Sequence, residues 1–141
     1  MRSSGFTLIE VVVTMAIIAI LAAIAIPSYS QYVMRANVAE AVAGLSDMRV
    51  KLEQFFQDQR TYAGACANGT VAPLPVGKNF TFTCPTLGAT NYTVAATGNA
   101  GTNMQGFVYQ IDQAGNHTTV SVGSNWTLTA SCWVLKKDGS C

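Results

Sequence analysis

The chain has 141 residues, half of them apolar and 11% charged, with a formal net charge of +1. So nearly neutral a chain has no long-range field to gather nucleic acid or an acidic membrane surface, and only local patches remain for such partners. One histidine, His117, and four cysteines without any C-x-x-C pair leave no ligand cluster for zinc, so neither a metal nor a cofactor is expected.

The apolar excess is concentrated in the first 26 residues. Phe6 to Ile26 is a run of 21 residues. As a helix it covers about 31 Å, enough for the hydrocarbon core of a bilayer. Glu10 interrupts the run near its front. A cleaved secretory signal is one reading, with Ala23-Ile24-Ala25 as the small-residue site, but the core is long for a signal and holds a carboxylate. A plain anchor is a second reading. It tolerates Glu10 near the interface, where the charge costs less than the roughly 2.5–3.5 kcal/mol of the bilayer centre, but gains nothing from it. A third reading cuts the chain between Gly5 and Phe6. Phe6 then carries a free amine, and Glu10 stands one helical turn away, at the positive end of the helix dipole. In an apolar setting the two charges attract strongly.

Pro27 removes a backbone donor and crowds the carbonyl of Ala23, so it is expected to bend the helix there. Beyond it, apolar residues recur at Val38, Ala41, Leu45, Met48, Leu52 and Phe55 with helical 3/4 spacing. Gly44 is the one glycine in this stretch. The opposite face has no excess of lysine or arginine, which disfavours a helix lying on a membrane surface. The reading is one long helix from Phe6 to about Phe56 whose second half packs on a sheet.

After Arg60, short runs rich in β-branched and aromatic residues alternate with turn residues. The candidate strands are 79–83, 92–96, 107–112, 118–122 and 132–135. Gln113-Ala114-Gly115-Asn116 reads as a hairpin turn, with Gly115 and Asn116 accepting positive φ. A meander of three or four antiparallel strands covering the helix stripe gives an α+β domain in two layers. Four cysteines behind a membrane-targeting segment point to an oxidising compartment and two disulfides. Of three possible connectivities, Cys66–Cys84 and Cys132–Cys141 close the shortest loops. The disulfides place the C-terminal domain outside the cytoplasm and MRSSG inside. Buried free thiols are the alternative.

Few residues suggest chemistry. His117 reads as a lone exposed side chain at a turn or strand start. Lys136 and Lys137 near Trp133, with Trp126 upstream, form a candidate basic and aromatic patch for nucleic-acid phosphates. Both tryptophans read equally well as sheet-packing residues. Asn68, Asn79, Asn91, Asn116 and Asn125 each open an N-x-T triplet and are taken as surface β-sequence. Without a catalytic constellation or a phosphate-binding glycine loop, an enzyme is not expected.

The stretch GFTLIEVVVTMAIIAILAAIAIPSYSQY resembles the N-terminus of type IV pilins, and fragments such as QDQRTYA and GFVYQIDQAG resemble the short minor pilins of the PilE kind. The resemblance implies a leader, residues 1–5, removed by a prepilin peptidase between Gly5 and Phe6. It implies methylation of the Phe6 amine and docking of Glu10 against the amine of a neighbouring subunit. It further implies a transmembrane and filament-core helix over 6–28, an amphipathic continuation over 29–60, and a periplasmic or extracellular β-domain over 61–141 with two disulfide loops. Backbone near Pro27 would unwind on assembly. The expected partners are itself and other pilins, the peptidase, the assembly machinery and the inner membrane before assembly. The expected roles are adhesion, twitching motility or DNA uptake. Two alternatives share the N-terminal motif: a pseudopilin of a type II secretion system, and a DNA- or receptor-binding minor pilin. The main pseudopilin usually carries a C-terminal calcium site, and no acidic cluster suits one here.

Overall fold

The computed structural model describes residues 6–141. Five elements follow in order: α1 (Leu8–Gln59), β1 (Phe80–Leu87), β2 (Tyr92–Gly98), β3 (Val108–Asp112) and β4 (His117–Ser121). The chain divides into two compact units, the first ending at Val33 and the second spanning Met34–Cys141.

In the first unit α1 runs through Pro27 without interruption. Its apolar side chains are exposed almost throughout, Leu8 at 83% and Ile24 at 69%. None of the most apolar 18-residue window is buried, and the helix is long and apolar enough to cross a membrane.

The second unit holds every buried residue of the core. Its helical half buries Val38, Ala41, Leu45, Met48 and Leu52, the stripe set by the 3/4 spacing, while Phe55 is partly buried against it. The helix ends three residues beyond the expected Phe56. Arg60 adopts a left-handed φ of 56° and its N–H donates to Phe56 O at 2.8 Å. That is the turn-closing bond of a left-handed C-terminal cap, made here by arginine rather than glycine.

The four strands form one antiparallel sheet in the order β1-β2-β3-β4. Phe80, Phe82, Tyr92, Val94, Ala96, Tyr109 and Ile111 point to the helix and are buried. β1 is an edge strand with an irregularity between Thr83 and Thr86. Pro85 sits inside it, where its missing N–H breaks no ladder bond. Gly115 takes the β3–β4 turn with φ of 79°, and its N–H donates to Asp112 O at 3.0 Å; Asn116 does not use positive φ.

The candidate strand at 132–135 is not a strand. Several of its backbone groups have other partners. The Thr119 hydroxyl donates to Cys132 O and accepts from Val134 N, and the Tyr109 hydroxyl donates to Val134 O. Leu135 and Lys136 donate to Ser140 O within the terminal loop. A segment whose amides are turned to side chains and to its own loop cannot extend a ladder.

The N-x-T triplets have a local explanation. Asn79, Asn91 and Asn116 directly precede β1, β2 and β4, so the middle residue begins the strand. Phe80 and Tyr92 are buried, and the threonine two places after each asparagine falls on the opposite face. A turn residue, an inward aromatic and an outward β-branched residue make the triplet without reference to sugar.

Candidate functional site

The N-terminal end of α1 carries Phe6, 82% exposed, and Glu10, also exposed. Gly5 lies outside the described residues. Thr7 and Glu10 form a reciprocal cap: Glu10 N–H donates to Thr7 Oγ1 at 3.3 Å, and Thr7 N–H reaches Glu10 Oε2 at 3.5 Å. Each side chain thereby serves a backbone donor that the first helical turn leaves free. T-L-I-E is the four-residue signature of this cap, so Thr7 was legible in the sequence, although charge alone pointed only to Glu10. The cap fixes the carboxylate at the helix start, one turn from the Phe6 nitrogen.

In the second unit, Ala36, Ala39, Ala43, Ser46, Val50, Gln54 and Gln57 are all exposed. At 100° per residue they fall on the helix face turned away from the sheet. This ridge is uncharged and mostly small, and charged residues flank it: Glu40, Asp47 and Lys51 on one side, Arg49 and Glu53 on the other. Asp47 and Lys51 pair at 2.6 Å along the helix.

Glu40 clasps the sheet to the helix. Its carboxylate accepts from Asn79 N–H at 3.0 Å and from Asn79 Nδ2 at 2.6 Å. Burial, the largest single influence, pushes its pKa up. The bonds from the Asn79 side chain and backbone, with Lys78 and Phe80, together outweigh burial and hold it below the ordinary 4.5. Asp112 does the same for the β3–β4 turn, accepting from Ala114 N–H at 3.0 Å and Asn116 N–H at 2.9 Å. Tyr62 donates to Glu53 Oε1 at 2.9 Å; burial first, then Glu53, raises its pKa to about 12. Sequence patterning marked neither the Glu40 nor the Glu53 clasp, because each pairs residues brought together only by folding, whereas the Asp112 bonds stay within one turn.

Cys66 is joined to Cys84 and Cys132 to Cys141, with Cα separations of 6.6 and 6.1 Å. Lys136 and Lys137 are exposed within the second loop. The tryptophans do not join them in a stacking surface. Trp133 is 7% exposed, lies under the exposed His117 ring at 3.8 Å, and donates from Nε1 to Gln110 O. Trp126 packs edge-on against buried Phe107 at 4.9 Å. The aromatic half of the expected patch is therefore corrected to a packing role, which leaves a pair of surface lysines.

An exposed apolar helix opening on a Thr7–Glu10 cap, continued by a helix packed on a four-stranded sheet, can be compared with known proteins. The prokaryotic N-terminal methylation motif matches residues 1–26. The family described as type IV minor pilin ComP, DNA uptake sequence receptor, matches residues 27–106, more than half of the chain. The chain belongs to the type IV pilin family. The pilin is 38% identical over 112 residues to a type IV major fimbrial protein FimA of Dichelobacter nodosus, covering 79% of this chain and 67% of that one. It is 33% identical over 93 residues to fimbrial protein EcpC of Eikenella corrodens, covering 66% and 61%. Another FimA of Dichelobacter nodosus is 41% identical over 75 residues, but the match spans only 46% of it. The non-core minor pilin PilV of Neisseria meningitidis has a similar fold, with a TM-score of 0.56 at 20% identity, covering 69% of this chain and 94% of that one.

Proposed function

We propose that this pilin is a structural subunit of a type IV pilus, as the major or a minor pilin. It is held in the inner membrane by its first helix, cut between Gly5 and Phe6 by a prepilin peptidase, methylated at Phe6 and polymerised through α1 into an extracellular filament. The observation that carries this reading is the exposed apolar surface of Leu8–Ile26 beside a unit that closes its own core. Such a surface needs lipid before assembly and other helices after it. In the second unit, the uncharged ridge from Ala36 to Gln57 is itself a face suited to close helix approach. Glu10, fixed at the helix start, meets the amine of a neighbouring subunit, and an unpaired carboxylate among packed helices is costly.

Two measurements test this. The intact mass and first residue of the native protein should correspond to a chain starting at methylated Phe6. Retention of Met1, or a start near Pro27, overturns the processing. A Glu10→Ala variant should insert and be cut but be missing from sheared fibres, and normal incorporation overturns the assembly role. Recovery in surface fibres also separates a pilus subunit from a pseudopilin.

A second reading is supported by the matched family, whose description includes a DNA uptake sequence receptor. On this reading Lys136 and Lys137 contact phosphates of duplex DNA. Binding should weaken steeply with salt, with a slope near two contacts, and Lys136→Gln/Lys137→Gln should flatten it. No binding at low salt ends this reading and leaves the filament role intact.

A further inference from the structure

Several asparagine side chains of this pilin are tied down. Asn37 Nδ2 donates to Asn103 Oδ1 at 2.9 Å, Asn79 Nδ2 to Glu40, Asn99 Nδ2 to Lys78 O at 3.0 Å and Asn116 Nδ2 to Asp112 Oδ2 at 2.8 Å. Asn68 has no such tie, and neither do Asn91 and Asn125. Asn68 is exposed, and its side chain makes no hydrogen bond among the described residues. It lies in the loop closed by Cys66 and Cys84.

What sets Asn68 apart from Asn91 and Asn125 is the residue that follows it. The other asparagines are followed by Val38, Phe80, Tyr92, Ala100, Met104, His117 and Trp126, and Asn68 by Gly69. Gly69 has φ of 88°, and nothing lies within 4 Å of where a Cβ would stand. The turn from Ala67 to Thr70 is closed by Thr70 N–H and Thr70 Oγ1, both donating to Ala67 O at 3.3 and 2.8 Å. Neither bond uses the Asn68 amide or the Gly69 N–H, and the latter has no backbone acceptor among the described residues.

We propose that Asn68-Gly69 is a self-modifying site at which Asn68 converts to aspartate and isoaspartate in the mature protein. Gly69 N loses its proton to solvent base and attacks Asn68 Cγ. The N–Cγ bond forms, the Cγ–Nδ2 bond breaks, and ammonia leaves after taking a proton from water. Water then opens the cyclic imide at either carbonyl, giving aspartate or a backbone routed through Cβ. Overall one water is consumed and one ammonia released, with no change of oxidation state. A Cβ on the attacking residue would crowd this approach, and glycine has none. A side chain bonded elsewhere, as in Asn79 and Asn116, would first have to let go. Thermolability of asparagine is thereby concentrated at one position. The conversion puts a negative charge on the 66–84 loop and erases its N-x-T triplet. It stands independently of the assembly and DNA readings.

Trypsin separates the outcome cleanly. The peptide 61–78 contains Asn68 as its only side-chain amide, and the peptide 79–136 contains six asparagines. The full chain in detergent is aged in mildly alkaline buffer, reduced, digested and read by mass spectrometry with enzymatic isoaspartate labelling. Peptide 61–78 should gain about one dalton and split into two products, faster as pH rises, well ahead of peptide 79–136. Gly69→Ala should slow the gain several-fold, and Asn68→Gln should abolish isoaspartate labelling of 61–78. The proposal is overturned if 61–78 keeps its amide, if 79–136 converts as fast, or if Gly69→Ala leaves the rate unchanged.

Discussion

Gly44 sits inside α1, where glycine is a poor choice. Replacing an exposed helical glycine by alanine gains up to about 1 kcal/mol. Here a Cβ would fall into the Phe82 ring, against Cζ and Cε1. Phe82 is 5% exposed and lies on β1 opposite Ala96, so the ring has nowhere to swing. Overpacking of a closed core costs about 1–3 kcal/mol, and a head-on overlap belongs at the upper end. About 3 lost against 1 gained leaves Gly44→Ala about 2 kcal/mol less stable. At roughly 4 °C per kcal/mol for a unit of this size, the melting temperature should fall by about 8 °C. Thermal unfolding of residues 34–141, which hold the whole core, followed by circular dichroism reads this directly. In a Phe82→Leu background the overlap is relieved and the same substitution should become neutral or stabilising. An unchanged or raised melting temperature for Gly44→Ala alone would refute the steric account. So would an equal loss in the Phe82→Leu background.

Two tyrosines should respond oppositely to loss of the hydroxyl. Tyr109→Phe leaves the buried Val134 carbonyl without its 2.9 Å donor and should cost about 1–3 kcal/mol in urea unfolding. Tyr92 buries a hydroxyl with no partner among the described residues, so Tyr92→Phe should be neutral or slightly stabilising. The Glu40 pKa is depressed in the folded state, so its stabilisation is present above the ordinary value of 4.5 and is lost as pH falls through the lower folded value. Glu40→Gln should flatten the acid limb of the stability profile below that value; an unchanged limb would place the acid sensitivity elsewhere. Replacing both Cys66 and Cys84 by serine should cost about 3 kcal/mol for an 18-residue separation, and the Cys132 and Cys141 pair somewhat less for 9. Equal losses would argue against loop entropy as the source.

Much of this molecule is written in local pattern. A 21-residue run, apolar except at Thr7, Glu10 and Thr14, carries its own length argument for a membrane, and the 3/4 spacing from Val38 to Leu52 carries its own packing face. Both depend only on helix geometry, which every residue shares. The turn at Gly115 was legible for the same reason: short-range backbone sterics decide it. Five candidate strands became four because strand identity depends on partners. The amides of 132–135 meet Thr119, Tyr109 and Ser140, and no neighbouring ladder. Trp133 carried the composition of a binding surface until packing placed it beneath His117. Glu40 looked like one more charge on a polar face, yet it fastens residue 79 to the helix across 39 positions of sequence. Local sterics and periodicity can be summed along a chain, so sequence alone determined the span, the stripe and the turns. Contacts between distant residues exist only once the chain has closed on itself, so the clasps, the strand count and the glycine under Phe82 were decided by the tertiary structure.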